Sequence, residues 1–191
     1  MRAQAAVVSV VALLAGAVAP AVGGESRNGR IVFQAQAGAH RQLFTINPDG
    51  TGLRQVTRLA GAEQPDWSPD GSTIAFDAPT AGGTRLFTVR PDGSGARAVP
   101  LAAGGSSGAP AFSPAGDGIA FLHSDGQIVD LHLAPLTGTG PNWTVGEPIE
   151  LTELSGLDTF SRPGWFIPPD QLPALPTASP KPSSATPSAS G

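Results

Sequence analysis

Apolar and polar positions alternate along this chain in short runs. Ile31-Val32-Phe33-Gln34-Ala35 sets Ile31, Phe33 and Ala35 on one face. Period-2 patterning with β-branched and aromatic residues predicts a strand. The same phase returns in Ile74-Ala75-Phe76 and in Ile119-Ala120-Phe121. A second apolar run follows each time: Leu43-Phe44-Thr45-Ile46, Leu86-Phe87-Thr88-Val89 and Val129-Asp130-Leu131-His132-Leu133. The first two of these end in Asn47-Pro48-Asp49-Gly50 and Arg90-Pro91-Asp92-Gly93. Proline sets φ for the second turn position and glycine supplies the positive φ that lets the chain re-enter a hairpin. In the third copy Ala134-Pro135-Leu136-Thr137-Gly138 stands there, which predicts a longer, looser turn. A third strand is expected at 53–57, 96–101 and 148–152.

An aromatic strand with a proline-led turn closes each copy: Pro65-Asp66-Trp67-Ser68-Pro69-Asp70-Gly71, then Pro110-Ala111-Phe112-Ser113-Pro114-Ala115-Gly116, then the worn Pro163-Gly164-Trp165-Phe166-Ile167-Pro168-Pro169-Asp170. The copies are residues 29–71, 72–116 and 117–170, and Phe33, Phe76 and Phe121 recur at spacings of 43 and 45. A period of about 40–50 residues with four short strands per unit is the signature of a β-propeller blade. The fold class expected is therefore all-β, with about three blades of four antiparallel strands.

Trp67-Ser68-Pro69-Asp70-Gly71-Ser72-Thr73-Ile74-Ala75-Phe76, followed by Leu86-Phe87-Thr88-Val89-Arg90-Pro91-Asp92-Gly93, resembles the WD-like repeat of TolB-type β-propellers. The resemblance covers 29–170, is specific through Gly116 and fades beyond it. It implies that the aromatic strand lines a central channel, with the other strands progressively further out. It also implies a ring of about six blades, twice what this chain supplies. The first cassette lacks an innermost aromatic strand, and 163–167 supply one with no blade after it. The ends are thus complementary. Three outcomes stay open: a 3+3 homodimer, a truncated gene product, and an open half-propeller that leans on another protein. Unpaired blade edges disfavour the last as a lone monomer.

Composition narrows the function. Charged residues are 14% of the chain, with 25 Gly and 20 Pro, which is turn-rich and unlike a helical protein. A net charge of −4 argues against nucleic acid or anionic lipid as a partner. There is no cysteine, so disulfides, zinc thiolates, a catalytic thiol and a lipid-modified N-terminal cysteine are all excluded. Residues 1–23 read as a signal peptide. Arg2 precedes an apolar run of small residues, with cleavage expected after Ala21 or Gly23. No membrane insertion is expected once it is cut, and the protein is placed in the bacterial cell envelope or outside the cell. Residues 24–170 form the partial propeller. Residues 171–191 form a Pro/Ser/Ala-rich tail that cannot bury enough apolar surface to fold.

Candidate chemistry is sparse. Gly104-Gly105-Ser106-Ser107-Gly108 spells a nucleophile elbow, with His123 or His132 and several Asp downstream. That motif needs a strand before it and a helix after it, and here it is read as a Gly/Ser loop. Asp66, Asp70 and Asp77 cluster in sequence, but Asp70 is a turn residue by position and Asp77 follows an outward-facing strand position. Structural roles fit them better than a glycosidase pair or a calcium site. His40, His123 and His132 are scattered and read as strand or surface residues without metal. Asn142-Trp143-Thr144 is an incidental glycosylation triplet. Trp67, Phe112 and Trp165 read as core aromatics, with Asp66 and Ser68 facing the channel if the ring closes. No catalytic, cofactor-binding or metal residue is assigned and no cofactor is expected.

The chain reads as a non-catalytic binding or scaffolding module. Its variable loops 36–41, 78–85 and 124–127 would recognise an envelope protein or peptide. The alternatives are an accessory propeller of an envelope hydrolase and a decayed paralogue.

Overall fold

The computed structural model describes residues 29–101, 104–152, 157 and 162–166. The expected signal peptide and tail lie outside the described residues. Twelve strands form among those described, in three antiparallel sheets. The first sheet contains β1 (Ile31–Ala37), β2 (His40–Ile46) and β3 (Arg54–Gln55) in that order. The second contains β4 (Glu63–Trp67), β5 (Ile74–Thr80), β6 (Gly83–Val89) and β7 (Arg97–Ala98). The third contains β8 (Ser106–Phe112), β9 (Gly118–Ser124) and β10 (Val129–Thr137), with β11 (Thr144–Val145) and β12 (Ile149–Glu150) both pairing with β10. Among the described residues the first sheet has no strand on the inner side of β1.

The turns form for the reasons the sequence supplies. Gly50 and Gly93 adopt φ of 82° and 83°. Each donates its N–H back to the residue that opens the turn, Asn47 at 2.9 Å and Arg90 at 2.8 Å. The sheets then pack face to face. Leu43, Val56, Ile74, Phe76 and Val89 fill the space between the first and second sheets. Ala75, Leu86, Phe112, Ile119 and Phe121 fill that between the second and third. β5 is therefore buried on both faces, with Ile74 and Phe76 turned one way and Ala75 and Asp77 the other.

Several expectations need correction. The outer strands are shorter than predicted, because their ladders shrink to two residues at Arg54–Gln55 and Arg97–Ala98. Residues 134–137 are not a loose turn but the end of β10, whose extra length is held by β11. Ser106–Gly108 are not loop, because β8 begins at Ser106 and pairs with β9 along its length. The position before Asp77, Phe76, does not face outward but is fully buried, and Asp77 itself is 6% exposed.

Candidate functional site: the cleft between the second and third sheets

Both inner strands carry a one-residue bulge in the same place. In β4 three residue steps, Glu63 to Asp66, oppose two in β5, and in β8 Gly108 to Ala111 do the same against β9. The extra residues, Gln64 and Ala109, have φ of 50° and 53°. That region is sterically unfavourable for side chains with a Cβ, and a bulge leaves an N–H without a ladder partner. Each N–H is capped from the preceding sheet. Gln64 N–H donates to Gln34 Oε1 at 2.5 Å and Ala109 N–H to Asp77 Oδ2 at 2.9 Å. Gln34 and Asp77 are equivalent, each following the repeat's phenylalanine. Leu122, the third equivalent, cannot accept a hydrogen bond.

Around the second of these caps opens a cleft of about 400 Å³. The ends of the β5–β6 and β9–β10 hairpins frame it through Pro79, Thr84, Ser124 and Val129. Asp77, Glu63, Ser107 and His123 give it its polar groups. Burial pushes the Asp77 carboxyl up to about 6. The Ala109 N–H pulls against that shift and neighbouring Glu63 adds to it. Ser107 and His123 are directly opposed in the β8–β9 ladder, and Ser107 Oγ lies 3.0 Å from His123 Nδ1. Burial, then the His132 and Arg85 charges, lower the His123 pKa against opposing Asp125 and Glu150. The imidazole is therefore neutral at neutral pH.

His132 stands edge-on to His123, with ring centroids 5.0 Å apart, and 5.6 Å from Phe121. It occupies the cross-strand slot that Phe44 and Phe87 fill in the other sheets. Those two stack on Phe33 and Phe76 at 5.8 and 5.7 Å. The structure thus brings two of the scattered histidines together, and their spacing follows from the repeat. Among the described residues no group of three or more His, Cys, Asp or Glu is arranged to hold a metal ion. His40 begins β2 on the exposed side of the first sheet.

Ser106, the serine of the elbow-like motif, accepts the Thr84 N–H at 3.2 Å in extended backbone. The strand-to-helix strain that exposes a nucleophile is absent at this position. Asp70 accepts from Ser68 Oγ at 2.6 Å, and from Ser72 N–H and Oγ at 3.0 and 2.9 Å. Burial pushes its pKa up, but these bonds outweigh burial and hold the carboxyl below its usual range. Ser68 is buried in this turn, taking the Thr73 N–H at 3.0 Å, and so does not face a channel. Asp66 accepts the Phe112 N–H at 2.8 Å and pairs with Arg162 at 2.7 Å. Burial raises its pKa, and those two partners act against the rise. The three aspartates have separate partners in separate places.

Phe112 is core and carries Trp143 of the glycosylation triplet on it at 5.3 Å. Trp165 is 44% exposed and donates from Nε1 to Ala111 O at 3.1 Å. The two capping residues were the functional positions missed by reading motifs. Lining up the residue after each repeat phenylalanine would have found them.

No protein-family model matches the chain, and no curated protein matches it either. Among solved structures it is similar to the putative TolB of Agrobacterium tumefaciens. The TM-score is 0.52 at 22% identity, over 63% of this chain and 46% of that one. TolB from Acinetobacter baumannii aligns at a TM-score of 0.47 and 14% identity, over 64% and 40% of the two chains. The first likeness shows the fold: this all-β chain matches part of the TolB β-propeller region. It spans less than half the length of either protein.

Proposed function

We propose that this protein is an exported, non-catalytic binding module of the bacterial cell envelope, and that it takes a protein or peptide segment at the hairpin end of its blades. The observation that carries this reading is the cleft between the second and third sheets. Loops of unlike sequence frame it, while conserved repeat geometry supports it from below. Its polar groups already have structural partners. Ser107 is spent on His123 and Asp77 on the bulge of β8. Among the described residues no third group is hydrogen-bonded to the His123 ring in the way a triad requires. What the cleft offers is shape, hydroxyls, a neutral imidazole and a buried acid, a set suited to recognition of a peptide side chain and backbone.

The test is binding of envelope-derived peptides to the full chain, compared with a Ser107→Ala/His123→Ala variant and with a Pro79→Ala/Thr84→Ala variant of the cleft rim. The expected result is loss of binding in both altered proteins at unchanged thermal stability. Hydrolysis of an ester or peptide substrate by the native chain, lost in Ser107→Ala, would overturn the non-catalytic reading.

A further inference from the structure

Among the described residues the first sheet has no innermost strand, and three observations bear on what fills that place. One is the seat. β1 pairs with β2 and, among the described residues, with nothing on its other edge. A cavity of about 690 Å³ lies between β1 and β4, lined by Val32, Phe33, Gln34, Glu63 and Pro65 among others, with the chain's own Arg162 also on its wall. A bare strand edge is a template for an added strand.

Another is an orphan donor. Trp67 Nε1 is buried and has no hydrogen-bond partner among the described residues. Its equivalent in the last repeat, Trp165, does have one, the carbonyl of Ala111. Ala111 immediately precedes the aromatic residue of the preceding inner strand. By the same rule Trp67 must reach the residue before the aromatic of the strand missing from the first sheet. Buried indole N–H groups ordinarily have a partner, and among the described residues this one has none.

The remaining observation is an inner strand without a sheet. Residues 162–166 carry Pro163-Gly164-Trp165 in the phase of Pro65-Asp66-Trp67 and Pro110-Ala111-Phe112. They lie beside β8, held by Trp165 on Ala111 and by Arg162 on Asp66. They pair with no strand among the described residues, and Trp165 and Phe166 are 44% and 78% exposed. Ile31, on the bare strand, is 51% exposed.

We infer that residues 162–166 of one chain complete the first sheet of a second copy, reciprocally, so that two chains close one ring. The register follows from the two inner strands already in place. Trp67 faces Ile74 and Phe112 faces Ile119, while Asp66 faces Ala75 and Ala111 faces Ala120. The equivalent pairs are Trp165 with Ile31 and Gly164 with Val32, one residue from each copy. Gly164 C=O then accepts the Trp67 Nε1–H of the second copy. Gln34 already caps the bulge that follows the seat. The segment does not have to leave β8, because it offers the acceptor its other edge.

The native chain has no cysteine, so introduced thiols report without background. Val32→Cys and Gly164→Cys are made in separate chains. A Cβ at Gly164 meets nothing within 4 Å and its φ is not in the left-handed region. Facing Cα atoms in a ladder lie about 4.5–5.5 Å apart, within disulfide range. The expected results are a native mass in solution twice that of one chain and a disulfide-linked dimer only when the two variants are mixed. Trp165→Ala is expected to weaken association about 30-fold or more. If that variant fails to fold, the thiol test decides alone. An internal disulfide in monomeric Val32→Cys/Gly164→Cys chains would overturn the inference, since the segment would then close on its own sheet. A native monomer whose mixed variants give no linked dimer would overturn it equally.

Discussion

The first and second sheets begin with the same hairpin and end in different environments. Phe33 stacks on Phe44 at 5.8 Å and 24°, and Phe76 on Phe87 at 5.7 Å and 26°. The strands run in the same register, with Ile31 opposite Ile46 and Ile74 opposite Val89. Yet Ile74 is fully buried and Ile31 is 51% exposed. The hairpin is a local object, set by alternation, a Pro-Asp-Gly turn and a cross-strand aromatic pair. Burial is supplied by neighbours. β5 has β4 beside it and a sheet on either face, whereas β1 has one sheet partner and one packed face. Equal sequences therefore carry unequal shares of stability, and four measurements would sharpen or break that contrast.

The largest difference is expected at the paired phenylalanines. Phe76→Ala leaves a cavity in a fully buried site and should cost about 3–5 kcal/mol in urea unfolding. Phe33→Ala, half-exposed, should cost less than about 2 kcal/mol where the protein is monomeric. Equal losses under those conditions would mean that β1 is covered by something in the monomer.

Next come the turn glycines. Gly50→Ala and Gly93→Ala incur the same positive-φ penalty of about 1 kcal/mol. A Cβ at Gly50 meets open space, but at Gly93 it falls 2.7 Å from Val56 O, a carbonyl on the neighbouring sheet. Gly93→Ala should therefore cost roughly 2–3 kcal/mol, and equal melting temperatures for the two variants would refute the close packing of the sheets at that turn.

The bulge caps differ in charge. Asp77 titrates near 6 in the folded protein and near 4 when unfolded. The folded state thus holds the extra proton between those values. The stability this gives is complete below about pH 4 and is lost as pH rises through 6, by about 1–3 kcal/mol. Asp77→Asn keeps an acceptor for the Ala109 N–H, and at pH 8 it should be the more stable protein by about that amount, with a flatter pH profile. Urea midpoints at pH 4 and 8 that move in parallel for both proteins would break the assignment. The smallest effect is expected for Gln34→Ala, which strips the uncharged cap from Gln64 N–H at the open side of the molecule and should cost about 1 kcal/mol.

How much could be read beforehand differs by feature. The strands β1, β2, β5, β6 and β9 were legible because alternation and repeat phase both mark them. The bare inner edge of β1, as seen among the described residues, has its counterpart in the sequence, where no aromatic run precedes Ile31. Of β8 only the aromatic end was legible, since Ser106-Ser107-Gly108 carries no apolar signal and becomes strand only because β9 offers it a ladder. The end of β10 hid behind Pro135, which suggested a turn but sits where β9 pairs Gly118 to it. The cleft was half legible: its framing loops were identified, but its acid was given a structural turn role and its histidine a strand or surface position.

The sequence alone determined the repeat, its period, the turns and the phase of its ends, because each rests on residues close along the chain whose φ preferences and side-chain alternation act locally. Only the tertiary structure decided that Asp77 is a buried cap with a raised pKa, that Ser107 faces His123, and that Trp67 holds a donor with no acceptor. The cap depends on where the next sheet stops, set by side chains some 30 residues away, and the Ser107–His123 pair on the register of two strands 16 residues apart; no local pattern encodes either.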